Sequence, residues 1–278
     1  MKIGLALSGG GVLGIAHLGV LEEIEKEGIK IDQICGVSAG AIVGALFADG
    51  GIRRVNEFWS DLESSGLFKT NRIIFNLNPD KVFTTIAHTL KKHLHAEKFY
   101  DLPIKFSCIA TDIADGSMHV LKDGNIVEAV MASAAYPGVF PVQRIGDHNY
   151  IDGGVTRNLP AGILRKNGAD FVIGSSLYSV AKLEKYDKNG ELKISRVEVM
   201  FRALDVMQKE MAEAEMKSCD FCFNPPVESF RWYNFDKMAE IKKIGEEYAE
   251  EFFPKLKKLL QTEKVQKPAT WWQRILGQ

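Results

Sequence analysis

Three short glycine-rich stretches bring together the residue types that could do chemistry. "GVSAG", Gly36 to Gly40, sets Ser38 in a G-x-S-x-G pattern. A serine hydroxyl is a weak nucleophile. It needs a base for its proton and donors for the negative charge that forms on an attacked carbonyl. The run "IDQIC" before the pattern is strand-like, and the run "AIVGALF" after it is helical and apolar. Ser38 therefore falls at a strand-to-helix junction, as a nucleophile elbow requires. Gly36 and Gly40 relieve crowding around it, and Ala39 opens the helix. The plainer alternative is a serine that caps a buried helix.

"SGGGVLG", Ser8 to Gly14, places Gly9, Gly11 and Gly14 in G-x-G-x-x-G spacing between a strand and a helix. A dinucleotide site would also need an acid at the end of the second strand. Asp32 precedes that strand, and the Lys-Ser/Thr pair of a P-loop is missing. No cofactor is expected. What remains is a row of backbone N–H groups at a helix start, which suits an oxyanion as well as a phosphate. Gly9, Gly10, Gly11 and Gly14 are the candidates for that role. The third stretch, "YIDGG", ends a strand-like run at Asp152-Gly153-Gly154 and supplies a carboxylate.

The histidines offer a different mechanism. All six precede Asp152, so Asp152 cannot be the acid of a triad ordered serine, acid, histidine. Ser38, Asp112 and His148 fit that order. His148 lies in "IGDHNY", which reads as a turn with its tip at Gly146–Asn149 and a solvated histidine.

Around these stretches the hydrophobic pattern alternates short apolar runs with helical ones. Strands are expected at 2–8, 31–38, 104–113, 118–121, 170–177 and 219–225. Helices are expected from Val12 to Gly28, over 39–51, over 126–136 up to Pro137, over 159–168, over 194–216 and over 238–260 with Pro254 inside. This tempo implies an α/β fold with a mostly parallel sheet. Residues 53–86 are rich in aromatic and aliphatic side chains without clean period, and suit either a lid or channel wall beside the site or ordinary core packing with one irregular loop. The Met-rich helix over 194–216 reads as core packing.

The chain has 278 residues, 46% of them apolar, and a formal net charge of -1. No global field would draw in nucleic acid, so any lipid contact must be local and apolar. Every long apolar run is broken by glycine or charge, which argues against a membrane-spanning helix. The N-terminal run resembles a signal peptide, but its removal would take the glycine loop with it. Four cysteines without such a leader suggest a reducing, cytoplasmic setting. Cys219 and Cys222 form a C-x2-C, but no second ligand pair follows at metal-site spacing, so no metal is expected.

The order and spacing of the three stretches resemble the bacterial patatin-like phospholipase family: a Gly-rich loop, G-x-S-x-G, then D-G-G. "GVLGIAHLGVL", "CIATDIADG" and "ASAAYPGVFPV" resemble further parts of it, from Lys2 to about Gly174. The resemblance implies a three-layer patatin-like fold with a mostly parallel central sheet flanked by helices. It implies a lipid acyl hydrolase working through a Ser38–Asp152 dyad, with Ser38 as nucleophile and Asp152 as general base; the alternative within the same fold is a non-catalytic patatin-like regulator. Gly36, Ala39, Gly40, Gly153 and Gly154 are the supporting motif positions. The expected partner is a lipid or acyl ester, with transient contact to a membrane or micelle surface. Residues 1–262 would form the hydrolase domain, and 263–278 a flexible or interfacial tail. The family usually carries Arg or Lys before the last glycine of the loop. Leu13 stands there, which predicts weaker use of anionic headgroups.

Overall fold

The computed structural model describes residues 1–66, 78–177 and 189–266, with side chains up to residue 262. Its centre is an eight-stranded sheet. Five strands run parallel in the order β3-β2-β1-β7-β8: β3 (Lys105–Asp112), β2 (Gln33–Val37), β1 (Ile3–Leu7), β7 (Phe171–Ser175) and β8 (Phe221–Phe223). Beyond β3 the pairing turns antiparallel, through β4 (Met118–Leu121), β6 (His148–Asp152) and β5 (Gln143–Ile145).

Continuous apolar runs make the central strands because both faces are covered. Leu5 and Leu7 of β1 and Ile34 of β2 point into one core; Ala6, Cys35 and Val37 point into another. The first core is closed by α1 (His17–Lys26), α2 (Ala39–Ser64), α3 (Pro79–His93), α4 (Ile126–Ser133) and α7 (Met238–Gln266). The second is closed by α5 (Ala161–Lys166) and α6 (Arg196–Met216). Helices, sheet and helices form the three layers that the motifs imply.

The register around β3 sets the site. Cys108 has Gly36 of β2 on one side and Leu121 of β4 on the other. Two residues on, Ala110 has His119 of β4 on one side and Asp152 of β6 on the other. A strand has two edges, and β4 holds one of them throughout. β2 and β6 therefore share the opposite edge and meet end to end.

Several elements differ from the sequence expectation. Gly11–Ala16 forms a 3-10 turn, and α1 starts only at His17. The helix after Ser38 does not stop at its glycine pair: Gly50 and Gly51 (φ 72°) break the helical geometry and the chain resumes a helical course to Ser64. α4 ends at Ser133, three residues before Tyr136. The hairpin turn is only Gly146 and Asp147, with Gly146 at φ 60°, so His148 and Asn149 belong to β6. α6 buries only Gln208 and Ala212, while Met200 and Met207 are 68% and 58% exposed, so it is not a core helix. α7 runs through Pro254 to Gln266, past the expected boundary at 262. The rest of the expected tail, from 267, lies outside the described residues, as does the middle of the 53–86 segment.

Candidate active site

Ser38 sits one residue past β2 and caps α2 with φ 52° and ψ -119°. It is the one non-glycine residue with positive φ among the described residues. Such a conformation is costly for a side-chain-bearing residue and persists only where its surroundings enforce it. The surroundings do so here by close backbone approach. A Cβ on Gly36 would lie 2.3 Å from the Gly40 carbonyl oxygen, and one on Gly40 would lie 2.4 Å from that of Leu7. The Ser38 N–H donates to Ser133 Oγ of α4 at 2.9 Å, which ties the elbow to a third element. Ser38 makes no side-chain cap bond to α2, so the capping alternative does not describe its hydroxyl.

Asp152 ends β6 and is almost fully buried. Its backbone is clamped: its N–H donates to Ala135 O at 2.9 Å, and the Thr111 hydroxyl donates to its carbonyl at 3.1 Å. Carboxylate Oδ1 accepts the Gly154 N–H at 2.7 Å. Oδ2 is buried without a partner at ordinary hydrogen-bond geometry. The Ser38 hydroxyl faces the carboxyl from the pocket side, in a looser contact that still favours the ionised form. Burial outweighs it and raises the Asp152 pKa to about 6, against the opposing pulls of Ser38 and the Gly154 N–H. A carboxyl in that range is a far better base for an alcohol than an exposed aspartate.

The glycine loop divides by role. Gly9, Gly10 and Gly11 line the same pocket as Ser38, Ala39 and Asp152. The Gly9 N–H is already engaged, at 3.2 Å from both the carbonyl oxygen and Oδ1 of Asn158. Gly14 is not on the pocket wall: it is buried, and a Cβ there would strike that of Ala39 at 2.7 Å. Of the four loop glycines, Gly9 thus has its N–H already bonded and Gly14 lies off the pocket wall. The N–H groups of Gly10, Gly11 and Ala39 have no hydrogen-bond partner among the described residues, and all three residues border the pocket. Gly11, at φ 59°, lies under the Trp232 carbonyl, which accepts the Val12 N–H at 2.8 Å. Gly153 packs on the Ile109 carbonyl, where a Cβ would lie 2.0 Å from the oxygen.

The pocket encloses about 1080 Å3, mouth included. Its walls are mostly apolar: Ile42, Phe58, Trp59 and Leu62 of α2, and Val82, Phe83 and Ile86 of α3. The described parts of the 53–86 segment thus contribute Phe58, Trp59, Leu62, Val82, Phe83 and Ile86 to the pocket wall. Asp205 and Gln208 of α6 also line it, and burial raises the Asp205 pKa to about 6.

Two polar residues missed by sequence reasoning support the loop. Asn158 is 1% exposed, and its Nδ2 is buried without a partner at the pocket wall. Because the Gly9 N–H donates to its Oδ1, the free Nδ2 is a donor. His17 is buried between Ser175 Oγ (2.7 Å from Nδ1) and the Ser8 carbonyl (3.0 Å from Nε2). A carbonyl only accepts, so Nε2 carries the proton and Nδ1 accepts from Ser175. Burial lowers the His17 pKa to about 4, which keeps this brace neutral. Asn158 follows the D-G-G motif closely enough to have been suspected; nothing in the pattern marks His17.

The rival triad is half assembled. His148 Nδ1 lies 2.7 Å from Asp112 Oδ2, so His148 is a bonded strand residue with an exposed side chain, and not a turn residue. It stands four residues before Asp152 on β6, about 13 Å along an extended strand. Neither Asp112 nor His148 borders the pocket, so the pair does not serve Ser38. Leu13 is buried in the first core and does not border the pocket either. Cys219 and Cys222 are free thiols whose sulfurs both pack on Gly174.

A serine elbow, a buried carboxylate and unpaired loop N–H groups around an apolar pocket on a three-layer α/β sheet define a serine acyl-hydrolase type of site. The chain matches the model of the patatin-like phospholipase family over residues 5–165, more than half its length, and it belongs to that family. It is 29% identical over 276 residues to patatin-like phospholipase domain-containing protein ZK370.4 of Caenorhabditis elegans, covering 90% of this chain and 20% of that protein. It is 27% identical to human patatin-like phospholipase domain-containing protein 6 (90% and 20% covered). It is 26% identical to lysophospholipase NTE1 of Meyerozyma guilliermondii (90% and 19%). The chain thus spans about a fifth of the length of these relatives. In fold it is similar to VipD from Legionella pneumophila, with TM-score 0.58 at 14% identity over 91% of this chain and 67% of that one. No helix among the described residues is long and apolar enough to cross a membrane.

Proposed function

We propose that the chain is a lipid acyl hydrolase acting through a Ser38–Asp152 dyad. The observation that carries this reading is the strained Ser38 at an apolar pocket, facing a buried carboxyl whose pKa is raised to about 6. The acyl chain lies between α2 and α3. Ser38 Oγ attacks the ester carbonyl carbon while its proton passes to Asp152 Oδ2. The new oxyanion is held by the N–H groups of Gly10, Gly11 and Ala39, at the positive end of α2. Collapse of the adduct breaks the ester C–O bond, and the departing alcohol takes the proton from Asp152. Water then attacks the acyl carbonyl carbon as its proton passes to Asp152, and the C–Oγ bond breaks as Asp152 returns that proton to Ser38 Oγ, releasing the acid. Asn158 Nδ2 supplies a further donor on the substrate side. The loose Ser38–Asp152 contact tightens when substrate excludes water, as catalytic contacts often do.

The catalytic unit in this reading is residues 1–262, the span that closes the three layers. Lipid contact falls to α6, which lends Asp205 and Gln208 to the pocket and exposes Met200 and Met207 beside it. Hydrolysis of short-chain nitrophenyl esters and lysolipids by the purified chain, with fluorophosphonate labelling, tests the proposal. Labelling that persists in folded Ser38→Ala would refute it.

A further inference from the structure

Away from the pocket, three side chains from three strands converge on one surface. Asp112 ends β3, His119 lies on β4 and His148 begins β6. One potential ligand atom from each lies within 4.8 Å of the other two. The sequence separates them widely, so spacing could not flag them; strand pairing brings them together. On β3 and β6, Asp112 pairs with Tyr150, two residues from His148, so the period of two puts these groups on one sheet face.

We propose that Asp112, His119 and His148 form a binding site for a divalent transition-metal ion, of which Zn2+ is the leading candidate. Two imidazoles with one carboxylate suit Zn2+, Co2+, Ni2+ or Cu2+ over Mg2+ or Ca2+, which prefer all-oxygen sets. Tetrahedral Zn2+ at ~2.0–2.1 Å from its ligands holds them roughly 3.3 Å apart. The Asp112–His148 contact of 2.7 Å need open only slightly, and the remaining gaps close by side-chain rotation. The His148 side chain is 51% exposed, which gives the ion a way in and leaves a fourth position for water.

The second layer is already in place, as such ligands require. Asp112 Oδ1 accepts the Ala114 N–H at 2.9 Å, which leaves Oδ2 for the ion. His119 has a hydroxyl on each ring nitrogen: Tyr150 at 2.8 Å from Nδ1 and Ser117 at 3.0 Å from Nε2. Whichever nitrogen ligates, the other keeps an orienting partner. A bound ion would pin β3, β4 and β6 together at the far end of the strand that carries Asp152.

The test is calorimetric Zn2+ titration of the full chain in a Cys219→Ser, Cys222→Ser background, which removes the competing thiols. One equivalent per chain should bind, and Tm should rise with free Zn2+, as expected for a ligand of the folded state. Co2+ should give visible d–d absorption of a four-coordinate site without a thiolate band. His148→Ala changes an exposed residue and should fold normally; it should weaken binding more than about 100-fold, beyond the range for losing a supporting partner. His119→Ala should do the same. Absence of saturable binding in the cysteine-free background, or binding unchanged in folded His148→Ala, would overturn the proposal. Neither outcome bears on Ser38 or Asp152.

Discussion

Val37 and Asp152 stand at successive positions along one edge of β3, Val37 opposite Ile109 and Asp152 opposite Ala110. This end-to-end meeting of a parallel and an antiparallel strand brings a serine and an aspartate together across more than a hundred residues of chain. Both partners are fixed by backbone. The serine needs only the elbow that follows β2, and the carboxylate only the end of β6. No histidine among the described residues lines the pocket they share, which suits direct transfer of the proton from hydroxyl to carboxylate.

The strain at Ser38 separates its chemistry from its conformation. Ser38→Ala should abolish esterase activity and fluorophosphonate labelling while leaving the strained φ in place. Ser38→Gly should abolish both as well, yet unfold at higher denaturant, because glycine accepts this backbone geometry. The gain should be about 1–3 kcal/mol, the usual cost of one strained residue. Equilibrium unfolding of the two variants side by side checks this. Equal stability would show that the elbow stores no strain.

Asp152→Asn should lower the rate by roughly 10²–10⁴-fold or more, the range for losing a general base. His148→Ala should keep its activity, since His148 is held by Asp112 away from the pocket. The acid limb of the rate profile should fall near the Asp152 pKa of about 6. A histidine base would give a limb close by, so pH alone does not separate the two, and the substitutions must. Asp205 also has a raised pKa of about 6, from burial first. Asp205→Asn should therefore leave the limb in place if Asp152 is its source.

Stability should move the other way. With its folded pKa raised to about 6, Asp152 binds a proton in the folded state over a window where the unfolded chain has released it. The resulting stabilisation is present at low pH and is lost as pH rises through about 6. At pH 8 the buried carboxylate is a burden of up to about 3 kcal/mol, at 1.36 kcal/mol per pKa unit. Asp152→Asn should thus raise Tm at pH 8 and lose this advantage near pH 4. His17 shifts stability oppositely between its ordinary pKa and about 4, but it does so in both proteins and cancels in the comparison.

The motifs were legible because each is a local necessity. Gly36 and Gly40 are glycines because carbonyl oxygens occupy the space of their Cβ atoms, and the strand–helix tempo places them. The parallel sheet was legible for the same reason, from continuous apolar runs. What pairing creates was not legible. The Asp112–His148 bond, the two-residue turn that makes His148 a strand residue, and the burial of Asn158 and His17 depend on register between distant segments. The Met-rich helix misled because its methionines suggest core, whereas α6 turns only a narrow stripe inward. Spacing also cannot say which loop N–H is already bonded, as that of Gly9 is to Asn158.

Leu13 shows how an expectation from motif position changes once burial is known. It stands where the family usually has a cation, and by motif position alone Leu13→Arg restores a charge for an anionic headgroup. Yet Leu13 is 5% exposed and packs in the first core. A guanidinium there would lie in the apolar core, off the pocket wall that carries Asp152 and Asp205, and must be desolvated. Leu13→Arg should destabilise the chain by several kcal/mol, in the range of buried unpaired charges, and should not improve turnover of diacyl phospholipid. Thermal unfolding and a diacyl-to-lysolipid rate ratio measure the two effects. A folded variant with a higher ratio would show that this segment can turn residue 13 toward substrate.

Asn158 joins the loop to the base. Its Oδ1 accepts the Gly9 N–H, and that oxygen and Asp152 Oδ1 both lie 3.0 Å from where a Gly154 Cβ would be. Its Nδ2 is a buried donor without a partner at the pocket wall. Leaving such a donor unpaired costs stability, so its place is explained if substrate or the developing charge completes it. Asn158→Ala should lower kcat by about 10²–10³-fold, the scale for losing one oxyanion donor, with a smaller change in KM. That variant also frees the Gly9 N–H, so Asn158→Asp is the sharper probe. An aspartate keeps an acceptor for Gly9 but replaces the donor with a second carboxylate beside Asp152. Like charges at such range disfavour ionisation. The acid limb of the rate profile should therefore rise above the wild-type position, and kcat should fall even on the alkaline plateau where both groups are ionised. If Asn158 served only to hold the loop, Asn158→Asp would restore the plateau rate that Asn158→Ala loses, and the donor role would fail.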